Sequence, residues 1–242
     1  MLTNIYVDGF NLYKCSLEGT PYKWLDLLKL SSRMFQGDVI NRIRYFTARV
    51  SDSPSDPDIS QRQQVYLRAL NTIPNLSIHY GQFTTHDEWK PLTNQFPAGT
   101  TPTWNIGSNP KPQRTDAVIG ILPNGLQCAR VRMTHEKGTD VSLGSFVLID
   151  AFENDYEQAV VISNDSDLAV PISYVKDKIH KPIWILHPCR PDTPARRGVR
   201  PGVTIRAAAT GSKSITPQAL AACQFPTTLT DANGTIFKPP RW

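Results

Sequence analysis

No stretch of this 242-residue chain stays apolar for the roughly 18 to 20 residues that a membrane helix requires. The opening, MLTNIYVDGF, does not place a charged region before a long apolar one, as a secretion signal would. Cysteine is sparse: Cys15, Cys128, Cys189 and Cys223 stand far apart with no CxxC pair. That spacing excludes a zinc knuckle and a dense disulfide frame, and it fits reduced thiols in a cytoplasmic protein. Internal repeats and low-complexity tracts are absent. With 40% hydrophobic and 19% charged residues the chain is an ordinary folded protein and not a disordered one. A formal charge of +5 and a pI near 9.0 tilt it mildly towards polyanions, so the placement of charge matters more than its sum.

What is present is an alternation of β-type and helical runs. LTNIYVD (2 to 8), VINRIRYFTARV (39 to 50), LSIHYGQF (76 to 83), EQAVVIS (157 to 163) and PIWILHP (182 to 188) read as strands. Several are too continuously apolar for a one-sided sheet. KWLDLLKLSSRMF (23 to 35), DISQRQQVYLRALNTI (58 to 73), TDVSLGSFVLIDAFEN (139 to 154) and DLAVPISYVKDK (167 to 178) read as helices, the second with Asp58 or Ser60 as its cap. The pattern predicts an α/β sandwich around a mostly parallel sheet. Residues 84 to 126, rich in Thr, Pro, Asn and Gly, read as an insertion ending in a β-hairpin around Pro123-Asn124-Gly125. Its composition suits a gate over the cleft or an oligomer interface equally well. The main domain is placed at 1 to 210 and a C-terminal extension at 211 to 242, mostly irregular.

In an open parallel sheet, ligands sit beyond the carboxyl ends of the strands. The first strand closes with Asp8, followed by Asn11; HEKG precedes Asp140 at a helix start; VVIS delivers Asn164, Asp165 and Asp167. Each acid alone has an everyday role. Asp8-Gly9 makes a turn, Asp140 suits a helix first turn, and SNDSDL caps a helix. Three strand ends each bringing an Asp are less easily explained so, because carboxylates within about 4 to 6 Å raise one another's pKa. A divalent cation relieves that repulsion, and an all-oxygen set suits Mg²⁺ or Mn²⁺.

YVDGFNLY, EKGTDVSLG and VVISNDSDLAVPI, in that order, resemble the three blocks of the NYN domain, a PIN-like nuclease group that includes LabA-type proteins. The closing QALAACQFPTTLTDANGTIFKPPRW resembles tails of bacterial members. The resemblance implies a three-layer PIN-like (Rossmannoid) sandwich and a metal-dependent endoribonuclease with an acidic site of Asp8, Asp140, Asp165 and Asp167. Asn11 matches an amide of the first block. Metal-bound water would then attack a phosphodiester, with Asp8 and Asp165 as direct ligands and Asp140 and Asp167 completing the set. Asn11 would orient a water or a carboxylate, and Lys137 would hold the phosphate. Arg190, Arg196, Arg197, Arg200 and Arg206, with Arg130 and Arg132, would grip single-stranded RNA, and Trp89, Phe96 and Trp104 could stack its bases. The alternative is a silent RNA-binding scaffold of the same fold. Asp150 falls roughly 80° off the helix face of Asp140 and is left outside the site. His79, His86 and His187 show no ligand spacing. An EF-hand is excluded by Val170 and Lys176 where Gly and Glu are needed, and a dinucleotide fold by the lack of a Gly-rich first turn.

Overall fold

The computed structural model describes residues 1–52, 56–92, 119–121, 125–188, 202–240 and 242. They form two compact units, Met1–Gln82 with Glu136–Trp242, and Phe83–His135.

The larger unit is an α/β fold on a parallel sheet. Its strands are β1 (Leu2–Asp8), β2 (Val39–Ala48), the first part of β3 (Leu76–Pro91), β6 (Gln158–Ile162), β7 (Ile183–His187) and β8 (Gly211–Ser214). Their order is β3-β2-β1-β6-β7-β8, and every pairing among them is parallel. The chain therefore builds outwards from β1 in one direction and from β6 in the other, so the β1/β6 boundary is the topological switch point of the sheet.

Continuous apolar runs made two-sided burial the expectation, and the core has that form. Ile5, Val7, Val160, Ile162 and Leu186 face one core, with Leu27 and Leu30 of α2 (Leu27–Met34), Leu67 and Leu70 of α3 (Ile59–Leu70), and Leu220 of α7 (Pro217–Ala222). Tyr6, Ala159, Val161, Ile183 and Ile185 face the other, with Leu143 and Val147 of α4 (Thr139–Phe152), Ile172 of α5 (Ala169–Tyr174) and Ile205 of α6 (Val203–Ala208). The period-two alternation along β1 and β6 decides which core each side chain joins.

Several local expectations are corrected. Neither Asp58 nor Ser60 caps α3 with its side chain; the Ser60 amide instead donates to Asp52. The predicted helix 167 to 178 is a short 3-10 turn (Ser166–Leu168), then α5, then a wide π turn (Val175–Ile179). The tail is ordered: besides β8 and α7 it carries an antiparallel pair, β9 (Thr228–Asp231) and β10 (Gly234–Phe237). Arg68 of α3 clamps Asp231 at 2.5–2.6 Å.

In the smaller unit, β3 continues and β4 (Ile119–Ile121) pairs antiparallel with β5 (Gln127–Lys137). These are the two arms of the predicted hairpin; Pro123 and Asn124 lie outside the described residues. No helix among the described residues is long and apolar enough to cross a membrane.

Candidate functional site

Beyond the ends of β1 and β6 the chain turns sharply into helices, and short polar side chains satisfy the exposed amides. Asp8 caps α1 (Gly9–Leu12), its Oδ1 accepting from the Asn11 amide at 2.9 Å. Its other oxygen accepts from Ser163 Oγ at 2.9 Å, and that hydroxyl accepts from the Asp165 amide at 3.0 Å. Asp165 Oδ1 in turn accepts from the Asp167 amide. Asn11 Oδ1 takes the Asn164 amide, and Asn164 Oδ1 takes the Gly202 amide. One strand end is thus laced to the next through side chains of a single sequence block each.

Asp8 is only 6% exposed. Burial drives its carboxyl up to about 6, and the charges of Asp140 and Asp165 push in the same direction against the hydrogen bonds from Asn11 and Ser163. Asp140 and Asp165 therefore both act on Asp8. Asp140 sits in the first turn of α4, after Gly138 at φ 97°, a left-handed turn that glycine makes cheaply. With the exposed Asp167 it lines a shallow open cleft, alongside Val141, Pro171 and Tyr174. Lys137 is exposed at the end of β5.

A second feature, absent from the sequence reading, adjoins Asp8. A cavity of about 200 Å³ is walled by Gly9, Phe10, Tyr13, Tyr45, Tyr66 and Trp242, with Lys14 and Lys23 also in its lining. Burial raises the Tyr45 hydroxyl well above its ordinary pKa, and the Asp8 charge adds to the effect. Gly9 lies so tightly between them that a Cβ there would stand 2.5 Å from Tyr45 Cζ and 2.8 Å from the Phe46 carbonyl oxygen. Four separate segments supply these walls, so no local motif announces them.

Asp150, left out of the site, has another role. Arg44 donates to both its oxygens at 2.7 Å and Tyr6 Oη donates at 2.7 Å, all beneath the sheet surface. The guanidinium also lies 4.3 Å over the Phe146 ring. Of the cations expected to bind a polyanion, Arg130 and Arg132 both pair with Asp87, and Arg206 is exposed on α6. Arg190, Arg196, Arg197 and Arg200 lie outside the described residues, as do Phe96 and Trp104. Trp89 packs against Gly120.

No protein-family model matches the chain. It is similar to 6-hydroxy-3-succinoylpyridine 3-monooxygenase HspA of Pseudomonas putida (strain DSM 28022 / S16), 26% identical over 257 residues, covering 99% of this chain and 75% of that protein. A solved structure of a protein of unknown function from Vibrio parahaemolyticus RIMD 2210633 is 15% identical, with a TM-score of 0.47, covering 88% of this chain and 91% of that one. That second likeness is too distant to build on. The first overturns the expectation of a Mg²⁺- or Mn²⁺-dependent ribonuclease, and of a hydrolase altogether, because the similar protein is named as a monooxygenase. The physical reason for the error is that acids gathered at strand ends define a charged cleft, and such a cleft serves more than one chemistry.

Proposed function

We propose that the chain is an oxidoreductase of the monooxygenase type, acting on a small hydroxylated aromatic acid. The observation that carries this reading is the likeness to the pyridine monooxygenase, which extends over 99% of this chain and so takes in every element that builds the cleft and the cavity. The reaction puts a new hydroxyl group on the ring. Dioxygen supplies the new hydroxyl oxygen and is otherwise reduced to water, at the expense of two electrons and two protons.

The cavity beside Asp8 supports the substrate class. At about 200 Å³ it falls below the roughly 300–1,000 Å³ typical of drug-sized ligands, so a single ring is the natural occupant. Tyr13, Tyr45, Tyr66 and Trp242 offer it aromatic faces, and Lys23 offers positive charge to its carboxylate, Lys14 being paired with Glu18. Asp8 is the base. A carboxyl titrating near 6 is mostly ionised at neutral pH, yet basic enough to take the proton of a ring hydroxyl. Removing that proton enriches the ring carbons ortho and para to it for attack on an electrophilic oxygen. Asn11 and Ser163 hold the carboxylate in place.

The end of β1 does not fit a resident dinucleotide cofactor. The helix N-terminus that would receive its diphosphate is taken by the Asp8 carboxylate, with the negative fields of Asp140 and Asp165 beside it. Electrons are assigned instead to a donor that exchanges with solution. Mg²⁺ or Mn²⁺ is part of the proposal: Asp140, Asp165 and Asp167 would have to close on it, since the acids do not stand as a preformed donor cluster, while Asp8 keeps the role of base. When bound, such an ion would polarise the substrate oxygen. The PIN-like form of the sandwich belongs to the same reading.

The test is oxygen uptake with reduced nicotinamide and a panel of single-ring hydroxypyridine carboxylic acids, with and without added flavin and Mn²⁺. Isotope from labelled dioxygen should enter the product and disappear with Asp8→Asn. A panel that yields no labelled product under any of these conditions overturns the reading.

A further inference from the structure

The smaller unit carries a metal-ligand set that has no part in the acidic cleft. His86 and Glu88 are two residues apart on β3 and therefore share a face of the strand, and His135 of β5 reaches the same place. His86 Nε2 and His135 Nε2 both point at one Glu88 oxygen, at 2.5 and 3.5 Å. The two imidazoles lie 5.5 Å apart between centroids at an interplanar angle of 32°. One ligand atom from each of the three residues falls within 4.8 Å of the others. Asp87, on the opposite face, is engaged by Arg130 and Arg132, while Lys90 contacts the second oxygen of Glu88.

We propose that His86, Glu88 and His135 bind a divalent first-row transition ion, with coordination positions left open to water or an exogenous ligand. Two neutral imidazole nitrogens and one carboxylate oxygen are the ligands that zinc, cobalt(II), nickel(II) and iron(II) take, and that Mg²⁺ does not favour. With metal–ligand distances of roughly 2.0–2.2 Å, the donors around such an ion stand about 3 to 3.5 Å apart. The observed atoms need to move by about an ångström or less to close on it. Side-chain rotation supplies that movement, since His86 is 47% and His135 42% exposed at the side chain. Three protein ligands leave at least one position vacant, the arrangement of reactive sites and not of sealed structural ones. Both rings competing for one carboxylate oxygen is a poor hydrogen-bonding solution, and a shared cation resolves it. The site does not depend on the reaction proposed above, because none of its ligands belongs to the cleft.

The experiment uses tag-free, metal-stripped full-length protein and Co²⁺ alone as the probe, followed by visible absorption and by equilibrium dialysis. With the acidic cleft saturated by excess Mg²⁺ throughout, one equivalent should bind, with d–d bands that Zn²⁺ abolishes. His86→Ala and His135→Ala should each weaken binding at least tenfold, while Asp8→Asn leaves it unchanged. Circular dichroism checks that the variants remain folded, and the less disruptive His86→Gln should lose affinity as well. Absence of stoichiometric Co²⁺ binding, or binding that survives both histidine changes, would show the cluster to be an ion-pair network and overturn the proposal.

Discussion

Ser163 Oγ donates to Asp8 Oδ2 at 2.9 Å, joining the carboxyl ends of two adjacent parallel strands, β1 and β6. That bond favours the ionised form of a carboxyl that burial otherwise pushes up to about 6. Ser163→Ala removes a force that lowers the pKa, so the acidic limb of the rate–pH profile should move to higher pH. A limb that stays in place would mean that Ser163 does not control Asp8.

Stability should register the same carboxyl. Asp8 has a folded pKa above its unfolded value, so the folded state holds the proton more tightly. The cost of ionising it develops as pH rises from about 4 to about 6 and is fully present above. In metal-free buffer at pH 7.5, Asp8→Asn should therefore stabilise the protein by about 1–3 kcal/mol. Urea denaturation should show the gain shrinking towards zero near pH 4. A variant less stable than the wild type at pH 7.5 would contradict this.

Arg44 and Asp150 form a bidentate pair with the carboxylate 1% exposed. Asp150→Ala leaves a guanidinium without its partner and should cost about 3–5 kcal/mol in chemical denaturation. Arg44→Met combined with Asp150→Leu should recover much of that loss, since the pair then leaves no charge behind. Equal costs for the single and double variants would show that packing, and not the orphaned charge, sets the penalty.

Gly9 separates the acid from the cavity. A methyl group there meets Tyr45 and the backbone of Phe46 at once, so Gly9→Ala should cost about 1–3 kcal/mol by overpacking. It should also displace the Tyr45 ring and raise KM more than it lowers kcat. An unaltered KM would remove Tyr45 from the wall that the substrate touches.

How far these features could be read in advance follows from the distance over which each is built. Asp8 with Asn11, and Asp165 with Asp167, are local Asx arrangements at the ends of apolar runs, so the sequence places them at strand ends directly. The field of Asp140 on Asp8 follows from the packing of α4 on the sheet, which no local spacing encodes. The cavity was hidden because Tyr13, Tyr45, Tyr66 and Trp242 come from four distant segments, and Trp242 reaches Tyr66 with ring centroids 5.5 Å apart only through the folded tail. Strands of four residues such as β8, β9 and β10 are too short to show a period. His86 and His135 meet through the pairing of β5 with β3, and no spacing within either segment encodes that register. The chemistry was misjudged for a different reason: a set of carboxylates specifies charge and position, not the bond to be broken.

The most direct measurement is the titration of the Asp8 carboxyl by carbon NMR in the metal-free protein, alone and with Asp140→Asn or Asp165→Asn. The account predicts a value near 6 in the wild type, held there chiefly by burial, and a small downward shift in either variant. A wild-type value near 4 that neither substitution moves would contradict it, because the three acids would then share no common field.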